Sequence, residues 1–123
     1  MKNQIIAIDF DGTIVEHDFP SIGKEVPYAI DTMLELQALG HKLILWTIRS
    51  TSYLKQAKDF LEDKGIKLWG TNENPTQKYW SGSPKVHADI FIDDMAFGCP
   101  LIQPAVGRPY IDWLQVRKHF KLR

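Results

Sequence analysis

The chain lacks the features that would tie it to a membrane, a nucleic acid or an oxidising compartment. It has one cysteine, Cys99, with no partner in the chain for a disulfide. Lys+Arg 15 balance Asp+Glu 15 over 123 residues, so no net field draws it to nucleic acid or anionic lipid. No apolar stretch is long enough to span a bilayer. Met1-Lys2-Asn3-Gln4 leads into an apolar run of only about five residues, shorter than a signal-peptide core. Repeats, low-complexity tracts and linkers are lacking too. These absences point to a cytoplasmic protein. The length predicts one domain over residues 1–123, and 44% apolar with 24% charged residues is ordinary globular composition.

What is present is organised around Asp9-Phe10-Asp11-Gly12-Thr13. The preceding run, Ile5-Ile6-Ala7-Ile8, is continuously apolar rather than alternating, the pattern of a buried parallel strand. Charge is tolerated at the C-terminal edge of such a strand, where open α/β sheets bind ligands. Gly12 permits a sharp turn there. The polar stretch from Glu16 to Pro27 reads as a short loop or hairpin flap.

Helical spacing predicts a first helix over Tyr28–Leu39, with Pro27 suited to its first position and Gly40 ending it. Lys42–Trp46 reads as a second strand ending at Thr47. Ser50 or Ser52 would cap a second helix running to Lys64. Ile66–Trp69 reads as a third strand, Gly70–Pro84 as a polar stretch, Ile90–Ile92 as a fourth strand and Leu101–Ile102 as a short fifth. Asp112 would cap a terminal helix holding Trp113, Val116 and Phe120. This alternation predicts an α/β fold: a single three-layer, Rossmann-like domain with a mostly parallel sheet.

Parallel strands end on one edge. That edge would gather Asp9 and Asp11 after strand one, Thr47 after strand two, and Asp93 and Asp94 after strand four. Lys85 lies eight residues before Asp93, in the loop entering strand four. These parts suit phosphoryl transfer. Clustered carboxylates repel unless a cation sits among them, and an oxygen-only donor set favours Mg²⁺. The cation and Lys85 would offset phosphate charge, and Thr47 would donate to a phosphate oxygen. One Asp would attack phosphorus and the other would carry protons.

Taken together, Asp9-Phe10-Asp11-Gly12-Thr13, Thr47 after Leu43-Ile44-Leu45-Trp46, Lys85, and Asp93-Asp94 after Ile90-Phe91-Ile92 resemble, in order and spacing, the four motifs of the haloacid dehalogenase superfamily. More narrowly, the chain is similar to its small, capless bacterial hydrolases. The resemblance implies a Mg²⁺-dependent phosphomonoester hydrolase. In that reading Asp9 is the nucleophile that forms an aspartyl-phosphate. Asp11 protonates the leaving group, then activates water, and its backbone carbonyl helps to hold Mg²⁺. Thr47 and Lys85 hold the phosphate. Asp93 binds the metal directly, and Asp94 supports it through water. The intervals after strands one and three are too short for an inserted cap domain. The family pattern then implies either a large substrate presenting its phosphate or a homo-oligomer in which a neighbouring subunit serves as lid; a phosphorylated small molecule fits the second case.

Two other readings use the same residues. A receiver-like, non-enzymatic phosphoryl-binding module also gathers acids, Thr and Lys on a parallel sheet, but there the Lys comes last, whereas Lys85 precedes Asp93-Asp94. A scaffold without turnover would keep the fold and the metal site. Elsewhere, His17, His41, His87 and His119 show no metal-ligand spacing and read as surface or structural, with His17 alone in a segment near the site. Arg49, two residues after Thr47, is open between a substrate contact and a surface arginine. Tyr79-Trp80 is open between a platform for a base or sugar and an anchor of its loop onto the core, the second being favoured, and Trp46, Trp69 and Trp113 read as core.

Overall fold

The computed structural model describes residues 2–123. Its elements run β1 (Ile5–Ile8), α1 (Ala29–Ala38), β2 (Lys42–Leu45), α2 (Thr51–Asp63), β3 (Gly70–Thr71), a 3₁₀ turn (Gln77–Tyr79), β4 (Ile90–Ile92), β5 (Leu101–Ile102), β6 (Tyr110–Ile111) and α3 (Trp113–His119). The main sheet is parallel in the order β3-β2-β1-β4, and β5 and β6 form a separate antiparallel hairpin. This is the expected α/β, Rossmann-like domain. Among the described residues no helix is long and apolar enough to cross a membrane.

The strand order decides which face each connection covers. β1, β2 and β3 step in one direction, so right-handed crossovers place α1 and α2 on the same face. Ile6, Ile8, Leu43 and Leu45 point to that face and pack with Met33 and Leu36 of α1, Ala57 and Leu61 of α2, and Trp113 and Val116 of α3. Alternation sends Ala7 and Ile44 to the other face, where they cluster with Val86 and with half-buried Trp46, Trp69 and Phe91. The step from β3 to β4 reverses direction and crosses that second face. This third layer contains no α-helix, only a loop with the 3₁₀ turn. Asn74 and Gln77 stiffen it: the Asn74 side-chain amide donates to His87 O, and Gln77 donates to Lys85 O and accepts from the His87 N–H.

Several boundaries differ from expectation for identifiable reasons. Helix α1 starts at Ala29 because Tyr28 takes a left-handed turn (φ 69°), which leaves Pro27 outside the helix. Ser50 holds the cap position of α2 without a side-chain hydrogen bond, whereas Asp112 does cap α3, accepting from the Leu114 N–H at 3.1 Å. Ile66–Trp69 is not the third strand. Ile66 and Leu68 pack into the core, and the ladder runs through the Trp69 N–H, bonded to Leu43 O, into Gly70–Thr71. Hydrophobicity there reports burial, not strand pairing. Tyr79 and Trp80 do not anchor their loop in the core, being 78% and 64% exposed. Trp113 is core, and its indole N–H donates to Thr13 O at 2.7 Å, pinning the loop after β1 to α3.

Candidate active site

The strand order reverses between β1 and β4, and the ends of those two parallel strands open a crevice where such folds bind ligands. Asp9 leaves β1 with its N–H bonded to Ile92 O. Carboxylate oxygens of Asp9, Asp93 and Asp94 all lie within 4.8 Å of one another. Thr13 ties the group together: its hydroxyl donates to Asp9 Oδ2 at 3.0 Å and accepts from the Asp94 N–H at 3.2 Å. Burial and the neighbouring Asp94 and Asp93 push the Asp9 carboxyl up to about 8. Burial also raises Asp93, against the Met95 N–H that donates to its Oδ1 at 2.9 Å. Three crowded acids, two of them resisting ionisation, form a donor set that a cation would relieve.

Asp94 is held from the flap side, with its Oδ2 2.7 Å from His17 Nε2. Both side chains sit over Gly12, whose φ is +85°. A Cβ at position 12 would lie 2.1 Å from His17 Nε2 and 2.4 Å from Asp94 Oδ2. The glycine therefore serves the turn and also the close approach of the imidazole to the acids.

Asp11 stands apart from the triad. Its carboxylate is gripped side-on by Arg49, Nε to Oδ2 and Nη2 to Oδ1, each at 2.8 Å. Arg49 is neither a surface arginine nor open to a ligand, since its side chain is 0% exposed. Thr47 lies where β2 ends. Its backbone exchanges two hydrogen bonds with the Asn72 side chain, at 2.8 and 3.0 Å. Its hydroxyl accepts from the Arg49 N–H at 3.1 Å, so its own O–H remains to donate elsewhere.

These residues line an open cleft of about 690 Å³, bounded by Asp9, Asp11, His17, Phe19, Trp46, Thr47, Ile48, Asn72, Asp93, Asp94, Met95 and Arg108. Lys85 is missing from that lining. It is exposed next to buried Val86, on the leg of the crossover that returns to the N-terminal edge, where the Asp89 side chain accepts from the Ile5 N–H. Without a helix in the crossover, the chain does not carry Lys85 to the strand C-termini. The β5–β6 turn instead contributes Arg108 to the cleft.

A solved structure of a conserved protein from Bacteroides thetaiotaomicron matches this fold with a TM-score of 0.81 and 37% identity, over 98% of this chain and 91% of that one. The chain belongs to that protein's family. No protein-family model and no curated protein matches it.

Sequence position puts His17 and Arg49 near the site without indicating their partners, and gives no sign of Arg108. His17 lies in the flap with no spacing rule linking it to Asp94. Arg108 lies in the turn of a hairpin whose second strand, Tyr110–Ile111, is too short to read from sequence. The one signal for Arg49 was its position two residues past Thr47.

Proposed function

We infer that the chain is a metal-dependent phosphomonoester hydrolase of the haloacid dehalogenase type. The observation that carries this reading is the convergence of Asp9, Asp93 and Asp94 at the reversal of the strand order, beside Asp11 and Thr47. The donor set fits Mg²⁺: all oxygen, crowded, with Asp9 and Asp93 raised by burial and mutual repulsion. Asp9, Asp93 and Asp94, with the Asp11 carbonyl, would hold the ion. When bound, it supplies positive charge against the phosphate and the developing negative charge.

The remaining chemistry falls to the chain. An Asp9 carboxylate oxygen attacks phosphorus and the bond to the leaving oxygen breaks; Asp11, once one of its oxygens is freed from Arg49 and protonated, delivers its proton to that leaving oxygen. Asp11 then takes a proton from water, whose oxygen attacks the aspartyl-phosphate. The Asp9–phosphorus link breaks, releasing inorganic phosphate. The free Thr47 hydroxyl donates to a phosphate oxygen. Arg108, which lines the cleft and forms no ion pair among the described residues, offers the positive charge that the resemblance places on Lys85. The substrate is a phosphorylated small molecule or a phosphate exposed on a larger one.

Incubation with a panel of phosphate monoesters and Mg²⁺ tests this, with Asp9→Asn as control. Phosphate release that the control lacks supports hydrolysis. No release from any ester, or equal release by Asp9→Asn, overturns it. An acyl-phosphate that persists for minutes would favour the receiver-like alternative.

A further inference from the structure

Arg49 ties its own segment after β2 to the β1 loop, 38 residues earlier, and to the flap, 28 and 29 residues earlier. Its guanidinium holds both oxygens of Asp11 from the β1 loop. It donates to Ser21 O at 2.8 Å and to Pro20 O at 3.2 Å in the flap. Its own N–H is bonded to Thr47 after β2. The guanidinium carbon lies 5.1 Å from the Phe10 ring centre and 5.0 Å from that of Phe19, and Phe19 meets Tyr53 of α2 edge-on at 5.3 Å. The base of the flap is a short hairpin closed by Glu16 N–H to Lys24 O and Val26 N–H to Ile14 O. Among the described residues its tip, 18–22, receives hydrogen bonds from Arg49 alone.

We propose that Arg49 is a positioning residue that couples the seat of the flap to the orientation of Asp11. A planar fork with five donors is suited to this, because it grips a carboxylate side-on while its remaining N–H groups reach other acceptors. A lysine cannot do both, having one ammonium and no fixed plane. Phe19 and Asp11 both line the cleft, so one buried guanidinium sets the cleft's apolar wall and its proton carrier together. Displacement of the flap tip by a ligand therefore disturbs the hydrogen bonds that aim Asp11. The coupling itself stands on geometry; its consequence for turnover rests on the hydrolase reading above.

Two measurements test the coupling without any activity. In the wild type, backbone order parameters of the Asp18, Phe19, Ser21 and Ile22 amides should be near the rigid value of about 0.85, and in Arg49→Lys they should fall toward about 0.6 while β1 and α1 stay rigid. In Phe19→Ala, which leaves Asp11 and Arg49 intact, the Asp11 carboxyl ¹³C resonance should shift while that of remote Asp59 does not. An unchanged tip in Arg49→Lys, or an unmoved Asp11 signal in Phe19→Ala, overturns the coupling. So does loosening spread evenly over the whole domain. Where phosphate release is found, Arg49→Lys should lower kcat roughly tenfold or more with little change in KM, and a loss confined to KM would refute the role in aiming Asp11. Absence of phosphate release in the wild type would count against the hydrolase reading alone, since the two spectroscopic results decide the coupling independently.

Discussion

His17 Nε2 meets Asp94 Oδ2 at 2.7 Å directly above Gly12, and the space that lets them meet is the space a side chain at position 12 would fill. Gly12→Ala must therefore part the pair and also hold an L-residue at φ +85°. We expect it to destabilise the protein by roughly 1–3 kcal/mol, the usual cost of a residue kept in sparsely populated backbone space. Urea unfolding measures this. Adding His17→Ala removes one of the two obstructed groups, so the double variant should recover part of the loss rather than add to it. Wild-type stability in Gly12→Ala would mean that the approach is not as close as described.

The crowding of Asp9, Asp93 and Asp94 gives a second expectation with two signs. In metal-free protein, Asp93→Asn removes a charge that burial and Asp94 already disfavour, and it retains an oxygen to accept from the Met95 N–H. The variant should be at least as stable as the wild type. With Mg²⁺ at about 100 times its Kd, the wild type should gain about 2.7 kcal/mol, whereas Asp93→Asn should gain far less. Thermal melts with and without Mg²⁺ read both effects. Equal gains in the two proteins would remove Asp93 from the metal site.

His41 sets a pH dependence away from the cleft. It is buried, its Nδ1 accepts from the Gln4 N–H at 3.0 Å, and its ring meets Phe120 edge-on at 5.6 Å. Burial holds its pKa below the ordinary 6.5. A proton on Nδ1 would also end its role as acceptor. The unfolded chain then binds the proton more readily than the folded one, so stability rises with pH in this window. The contribution is intact above 6.5 and is lost as pH falls below it. Urea midpoints at pH 7 and pH 5 should differ more for the wild type than for His41→Gln; equal differences would acquit His41.

Much of this was legible because a buried strand writes itself as an apolar run. Ile5–Ile8, Lys42–Leu45 and Ile90–Ile92 could be read to within a residue, and with them the edge where Asp9, Asp11, Thr47, Asp93 and Asp94 emerge. Lys85 stands outside the cleft lining, and a position in the chain does not tell which edge of the sheet a crossover has reached. Without a helix beneath it, the alternation of buried Val86 with exposed neighbours turns Lys85 to solvent. His17 and Arg49 were legible as residues but not as partners, since both pairings depend on how the flap folds back. Tyr79 and Trp80 show the converse failure: aromatic character suggested burial where the crossover leaves them exposed.

The place of Lys85 outside the cleft lining separates two expectations for substrate binding. The basic side chains near the acids are largely spent, Arg49 on Asp11 and His17 on Asp94. Arg108 lines the cleft without an ion-pair partner among the described residues, beside apolar Phe19, Trp46, Ile48 and Met95. A monoester turned over here would set its phosphate or a second anionic group against that guanidinium. Arg108→Ala should then raise KM about tenfold or more, equivalent to roughly 1.4 kcal/mol of a charge-assisted contact, and Lys85→Ala should leave KM near wild type. Steady-state kinetics on the best monoester found would decide between them. A large effect at Lys85 with none at Arg108 would show that the crossover moves in the complex and carries Lys85 to the strand ends.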